Sequence, residues 1–257
     1  MASSMGALGL IEDRRVTGWF LMSSVWPTLY LALIYLALIY GLLPTYMRDR
    51  KPFKLNRIIQ AYNIFQVIAC VFIIYWIATS GWVQGRYSFG CVPFTYPEDK
   101  QAMSLLKGFH LTYFLKAIEL IETIFFALRK KYSQITKLHV YHHVSTMLFA
   151  WFGCKYTGTA MPSLHIMLNS FIHILMYTYY FLSCLGPKWQ KRLVHWKSRL
   201  TMAQMVQFTI LIIHIMVGLQ PSCPTPKLFL MMYLPNVILI FKMFYDFYKK
   251  SYTIKSK

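Results

Sequence analysis

Leu138-His139-Val140-Tyr141-His142-His143 decides the reading of this chain. On a helix, residues i, i+3 and i+4 share one face, so the spacing gathers three imidazoles together. The run that follows, Val144 to Phe152, is almost wholly apolar, as in a membrane helix. Ionisable groups inside a bilayer are costly and usually mark function. A lone histidine there would be a structural residue; three in five positions point to chemistry.

Outward from this segment, composition bounds the class. The 257 residues are 57% hydrophobic and only 14% charged, too little charge to cover a soluble body of this size. The expected class is an all-α polytopic membrane protein, and at about 20 residues per span there is room for about seven helices and no separate soluble domain. The spans read as residues 25–44, 58–80, 104–128, 138–154, 161–185, 200–219 and 227–247. Residues 1–24 read as a non-core segment without a cleavable signal and 248–257 as a tail, leaving 1–257 as one integral-membrane domain.

A net charge of +19 would suggest nucleic acid in a soluble protein. Here the basic residues cluster after the first, third, fifth and seventh spans: Arg48 to Arg57, Arg129 to Lys137, Lys188 to Arg199 and Lys249 to Lys257. Alternate loops hold only Arg86 and Lys100, Lys155, and Lys227. The positive-inside rule places the rich loops in the cytosol, which requires an odd number of spans and a cytosolic C-terminus. Cys91 and Cys223 then share the opposite side, where a secretory lumen permits disulfides; the residues alone leave a bridge and two free thiols both open.

Polar stripes mark three further spans. The third carries Lys116, Glu119, Glu122 and Thr123; the fifth His165, Asn169, His173 and Tyr177; the sixth Thr201, Gln204 and Gln207. Each alone reads as an ion pair or a helix–helix interface. Counted inward from the basic loops at about 1.5 Å per residue, the stripes fall in the cytosolic half or the midplane. The shared depth suggests a buried polar chamber open to the cytosol.

Two chemistries suit such a chamber. A di-iron centre needs several histidine boxes, and only one is present among eight histidines. Nucleophilic and acid–base catalysis by imidazole needs only what the chain has. Asn169, Gln204 or Gln207 would then steady a developing oxyanion.

The blocks resemble the ELO family of very-long-chain fatty acid elongases. His139-Val-Tyr-His142-His143 is similar to its H-x-x-H-H box. Lys116-Ala-Ile-Glu119-Leu-Ile-Glu122-Thr123 resembles K-x-x-E-x-x-D-T, with Glu122 where the family usually has Asp. Asn169-Ser-Phe-Ile-His173-Ile-Leu-Met176-Tyr177-Thr-Tyr179-Tyr180 resembles N-x-x-x-H-x-x-M-Y-x-Y-Y, and Thr201-Met-Ala-Gln204-Met-Val-Gln207 resembles T-x-x-Q-x-x-Q.

The resemblance implies a seven-helix endoplasmic reticulum protein that condenses acyl-CoA with malonyl-CoA to 3-ketoacyl-CoA, CoA and CO2. It implies acyl transfer to His142, with His173 assisting condensation. His139 and His143 would tune His142, and Asn169 and Gln204 would be its hydrogen-bond partners. Lys116, Glu119, Glu122, Tyr177 and Gln207 are the implied supporting residues. No metal or other cofactor is implied, and the lumenal cysteines fit a family pairing. Membrane lipid, other enzymes of the elongation cycle and a second copy of the chain are the implied partners; nucleic acid is not. Lys255 and Lys257 form a weak dilysine-type retention signal. A lipid transporter or receptor with a polar midplane site is the rival; it predicts broken helices, and the fourth and sixth spans contain no Pro-Gly pair.

Overall fold

The computed structural model describes residues 12–92, 98–157, 160–225 and 227–253. Among these, every regular element is helical. In chain order the main helices are α1 (Trp26–Met47), α2 (Asn56–Trp82), α3 (Lys100–Glu119), α4 (Ile121–Leu128), α5 (Lys137–Tyr156), α6 (Met161–Ser183), α7 (Pro187–Arg192), α8 (Val194–Leu219) and α9 (Lys227–Thr253). Lys255 and Lys257 lie outside the described residues.

Local chemistry sets the helix starts. Pro27 and Pro162 occupy the first turns of α1 and α6, where a missing N–H costs nothing. Asp99 caps α3, its Oδ1 accepting from the N–H groups of Gln101 and Ala102 at 3.0 Å. Thr136 caps α5, its hydroxyl accepting from His139 N at 3.1 Å, so the cap seats the histidine box in the first turns. Gly81, at φ +140°, turns the chain out of α2; a Cβ there would collide with the Tyr87 ring.

Six of these helices close a ring. α3 packs on α5 and on α2, α2 most extensively on α6, α6 on α8, α8 on α9, and α9 back on α5. α1 stands outside, against α4 and α5. Cys91, after α2, and Cys223, after α8, are joined by a disulfide across one end of the ring, with Cα atoms 5.6 Å apart.

Four helices have the length and apolarity to cross a membrane: α1, α2, α8 and α9. Their outer faces expose large apolar side chains, among them Leu33, Ile68, Ile213 and Ile238. Such rows are stable against lipid but not against water. Length and apolarity alone therefore mark four of the seven expected spans. The other three, α3 with α4, α5 and α6, carry the ionisable and polar residues that lower their hydropathy, among them Lys116, Glu119, His142, Asn169 and His173. α3 and α4 together cover the third expected span, and Leu120 between them keeps helical backbone angles, φ −58° and ψ −27°.

Two expectations are corrected. The described part of the segment before α1, from residue 12, is not outside the core: Val16 and Met22 are fully buried, and Asp13 is buried too. Lys155, read as a loop charge, is buried in the last turn of α5. There it pairs with Glu12 and donates to Thr17 Oγ1 at 3.3 Å. The Asp13 amide donates to the Lys155 carbonyl at 2.9 Å and Trp151 Nε1 to the Leu21 carbonyl at 2.8 Å, so the segment straps the end of α5.

Candidate active site

A cavity of about 110 Å3 lies inside the ring. Its walls are mainly apolar, with Phe109, Phe149, Phe208, Leu211, Phe229 and Ile240 among them. This differs from a polar chamber: the polar stripes gather mainly around one end of an apolar cavity. Lys116, His142, Asn169 and Gln207 reach the cavity wall there. From His142 to Thr157, both lining it, α5 rises about 22 Å at 1.5 Å per residue.

α5 presents its three imidazoles differently. His139 Nε2 lies 2.8 Å from Thr123 Oγ1, which lies 2.7 Å from the Tyr35 hydroxyl. This chain of three polar groups ties α1 and α4 to the histidine box. His143 is buried; its Nε2 stands 3.7 Å from a Glu122 oxygen, and its Nδ1 has no hydrogen-bond partner. The rings of His139 and His143 lie 4.4 Å apart. His142 is held edge-on by His143 and Phe244, at 5.5 and 6.2 Å, and faces the cavity.

Beside it sits a buried charge cluster. Lys116 Nζ donates to both Glu119 oxygens, at 2.9 and 3.1 Å, and Glu119 is fully buried. His173 Nδ1 lies 3.2 Å from Glu119 Oε1, so α6 supplies a second partner to the same carboxylate. Buried charges persist when paired and otherwise neutralise. The Tyr177 ring stands edge-on to His173 at 5.7 Å and to Tyr62 of α2 at 6.0 Å.

Gln204 and Gln207 part company. Gln207 lines the cavity with its buried Nε2 unpartnered, a donor free for a substrate oxygen. Gln204 instead turns its amide to Met176 Sδ at 3.7 Å. His165 leaves the stripe of Asn169 and His173 and pairs with His214, Nε2 to Nδ1, at 2.7 Å.

Tyr35, Tyr62 and Asn236 are site-adjacent residues that the sequence reading missed. The Tyr141 hydroxyl donates to Asn236 Oδ1 at 2.9 Å and fastens α5 to α9. Among the described residues, no group of three or more His, Cys, Asp or Glu side chains is arranged to hold a metal ion.

The sequence model of the GNS1/SUR4 (ELO) family matches residues 20–257. The chain belongs to that family. It is 42% identical to very long chain fatty acid elongase 7 of Rattus norvegicus over 203 residues, covering 79% of this chain and 72% of that one. It is 39% identical over 240 residues to a very long chain fatty acid elongase of Aedes aegypti, covering 93% and 67%. It is 35% identical over 242 residues to very long chain fatty acid elongase 4 of Homo sapiens, covering 94% and 76%. With its spanning helices, the family member is a multi-pass membrane protein. Neither the family nor the relatives support a transporter.

Proposed function

We propose that this family member works in very-long-chain fatty acid elongation as its condensing enzyme, joining acyl-CoA to malonyl-CoA to give 3-ketoacyl-CoA, CoA and CO2. The observation that carries the reading is the position of His142, at one end of an apolar cavity whose lining runs along α5 to Thr157, beside a buried charge cluster. An acyl chain lies in the cavity with its thioester at His142.

A ring nitrogen of His142 attacks the thioester carbon, and the C–S bond breaks. CoA leaves as the thiolate and takes up the proton that the acylated ring sheds. Gln207 Nε2 and Asn169 donate to the thioester oxygen as it becomes an oxyanion. His139, held by Thr123, and His143 position the nucleophile. Malonyl-CoA then enters and loses CO2, leaving an enolate whose carbon attacks the acyl carbon. The C–N bond to His142 breaks, the imidazole regains a proton, and 3-ketoacyl-CoA forms. Lys116, fixed by Glu119, offsets the enolate charge, and His173 meets the same carboxylate; Glu122 and Tyr177 stand beside the flanking imidazoles. Imidazole alone suffices, with no metal and no cofactor beyond the two CoA thioesters.

The reading places seven helices of one integral-membrane unit in the endoplasmic reticulum membrane, with the basic loops and C-terminus in the cytosol. There cytosolic Lys and Arg meet the CoA phosphates. Other enzymes of the cycle and a second copy of the chain are its candidate neighbours. Membranes containing the chain should incorporate radiolabelled malonyl-CoA into acyl-CoA, and His142→Ala membranes should not. Equal incorporation by the two would reject the reading.

A further inference from the structure

The cavity has a second polar end. At the far end from His142, beside the Cys91–Cys223 loops, its lining includes His165, Thr157, Thr225 and Tyr233. His165 and His214 are both buried and share one hydrogen bond at 2.7 Å. The Tyr233 ring lies over His165, centroids 5.7 Å apart and 27° from parallel. Imidazoles and hydroxyls are expensive furnishings for the end of an apolar cavity that receives only a methyl group.

The proton inventory defines what would bind. Thr157 Oγ1 donates its single proton to the Gly153 carbonyl at 2.5 Å. Thr225 Oγ1 donates its own to the Gly218 carbonyl at 2.8 Å. Both oxygens therefore offer a ligand only acceptor lone pairs. The histidine pair shares one proton in its bond. His165 Nδ1 is an acceptor if His165 donates to His214, and a donor if His214 donates to His165. A partner for this set must donate to one of the threonines and can do either with the imidazole.

A hydroxyl fits, being donor and acceptor at once. A carboxylate is acceptor-only and would meet the threonine lone pairs while losing its hydration. A methyl terminus satisfies nothing.

We propose that this end is a subsite for the terminal hydroxyl of an ω-hydroxyacyl chain, so that ω-hydroxyacyl-CoA is a substrate class of this chain. The proposal rests on the acyl chain lying in the cavity with its thioester at His142. The terminus reaches the subsite only when the extended chain spans the length from His142 to Tyr233 and Thr157; a shorter chain leaves its hydroxyl among Phe and Leu side chains. A site that hydrogen-bonds a substrate hydroxyl discriminates far more strongly than a purely apolar pocket does.

The test is a matched series of unsubstituted and ω-hydroxyacyl-CoAs of increasing length, assayed with malonyl-CoA in membranes containing the full chain. For the wild type, the ratio of kcat/KM for the hydroxylated to the unsubstituted substrate should start well below one. It should rise at least tenfold at the length where the terminus reaches the subsite. His165→Phe and, separately, Thr225→Val should remove that rise at the same length. A ratio that stays low at every length would overturn the proposal while unsubstituted chains are still elongated. A rise that survives both variants would overturn it too. If no acyl-CoA is elongated at all, the elongase reading itself fails. The wild-type series is decisive even where a variant does not fold.

Discussion

Lys116→Met offers a sharp probe of the buried charge cluster. The ammonium meets both Glu119 oxygens, at 2.9 and 3.1 Å, and Glu119 is fully buried. Methionine keeps most of the side-chain volume but strands the carboxylate with His173 as its remaining partner, at 3.2 Å. Removing one member of a buried ion pair typically costs about 3–5 kcal/mol, because the other charge stays desolvated. For a chain of this size each kcal/mol moves Tm by roughly 2–4 °C, so a fall of about 6–20 °C is expected in detergent. The double variant Lys116→Met/Glu119→Gln removes both charges, and its Tm should recover most of the loss. Elongation should stay low in both, since the ammonium that offsets the enolate is gone. Differential scanning fluorimetry with a radiolabelled malonyl-CoA assay reads both quantities. Additive Tm shifts across the cycle, or a single variant within 1 °C of wild type, would refute the pairing as a source of stability.

Further expectations concern other parts of the molecule. Cys91→Ser/Cys223→Ser opens a loop of 132 residues, worth up to about 5 kcal/mol in the chain-entropy account; thermal inactivation should quicken more than the rate per folded molecule falls. Tyr35→Phe leaves Thr123 with His139 alone, so kcat should drop several-fold with KM for acyl-CoA nearly constant, and an unchanged kcat would remove Tyr35 from the positioning chain. Asp99 takes a bidentate pair from Arg86, at 2.7 and 2.5 Å, which with two backbone amides holds its carboxyl well below the usual carboxylate range. Its stabilisation is therefore complete above the unfolded value of about 3.9 and fades as pH falls through the lower folded value. The Tm gap between wild type and Asp99→Asn should be constant above about pH 5 and shrink in stronger acid; a gap independent of pH would contradict this.

The helices and the Lys116–Glu119 pair were legible because their signals are local. An apolar run marks a span, and i, i+3 spacing marks a pair on one helix. The partners of the histidine box were not, because they are remote in sequence. Tyr35 lies 88 residues from Thr123, and Asn236 lies 95 from Tyr141. Tertiary packing brings them together: α5 against α9 within the ring for Tyr141 and Asn236, and α1 against α4 outside it for Tyr35 and Thr123. His165 shows the same limit: its spacing aligns it with Asn169 and His173, yet its bond goes 49 residues on, to His214. Residues 12–24 belong to the stretch read as non-core, and their contact with the core includes the pair between Glu12 and Lys155, whose burial no local pattern reveals.

Acylation of His142 is most directly tested by mixing purified protein with acyl-CoA alone, then measuring free CoA and mapping the adduct by peptide mass spectrometry. A stoichiometric burst of CoA, with the acyl group on the peptide containing His142 and both lost in His142→Ala, is the expected result. No CoA release until malonyl-CoA is added, or an adduct that persists in His142→Ala, would contradict imidazole as the acyl acceptor.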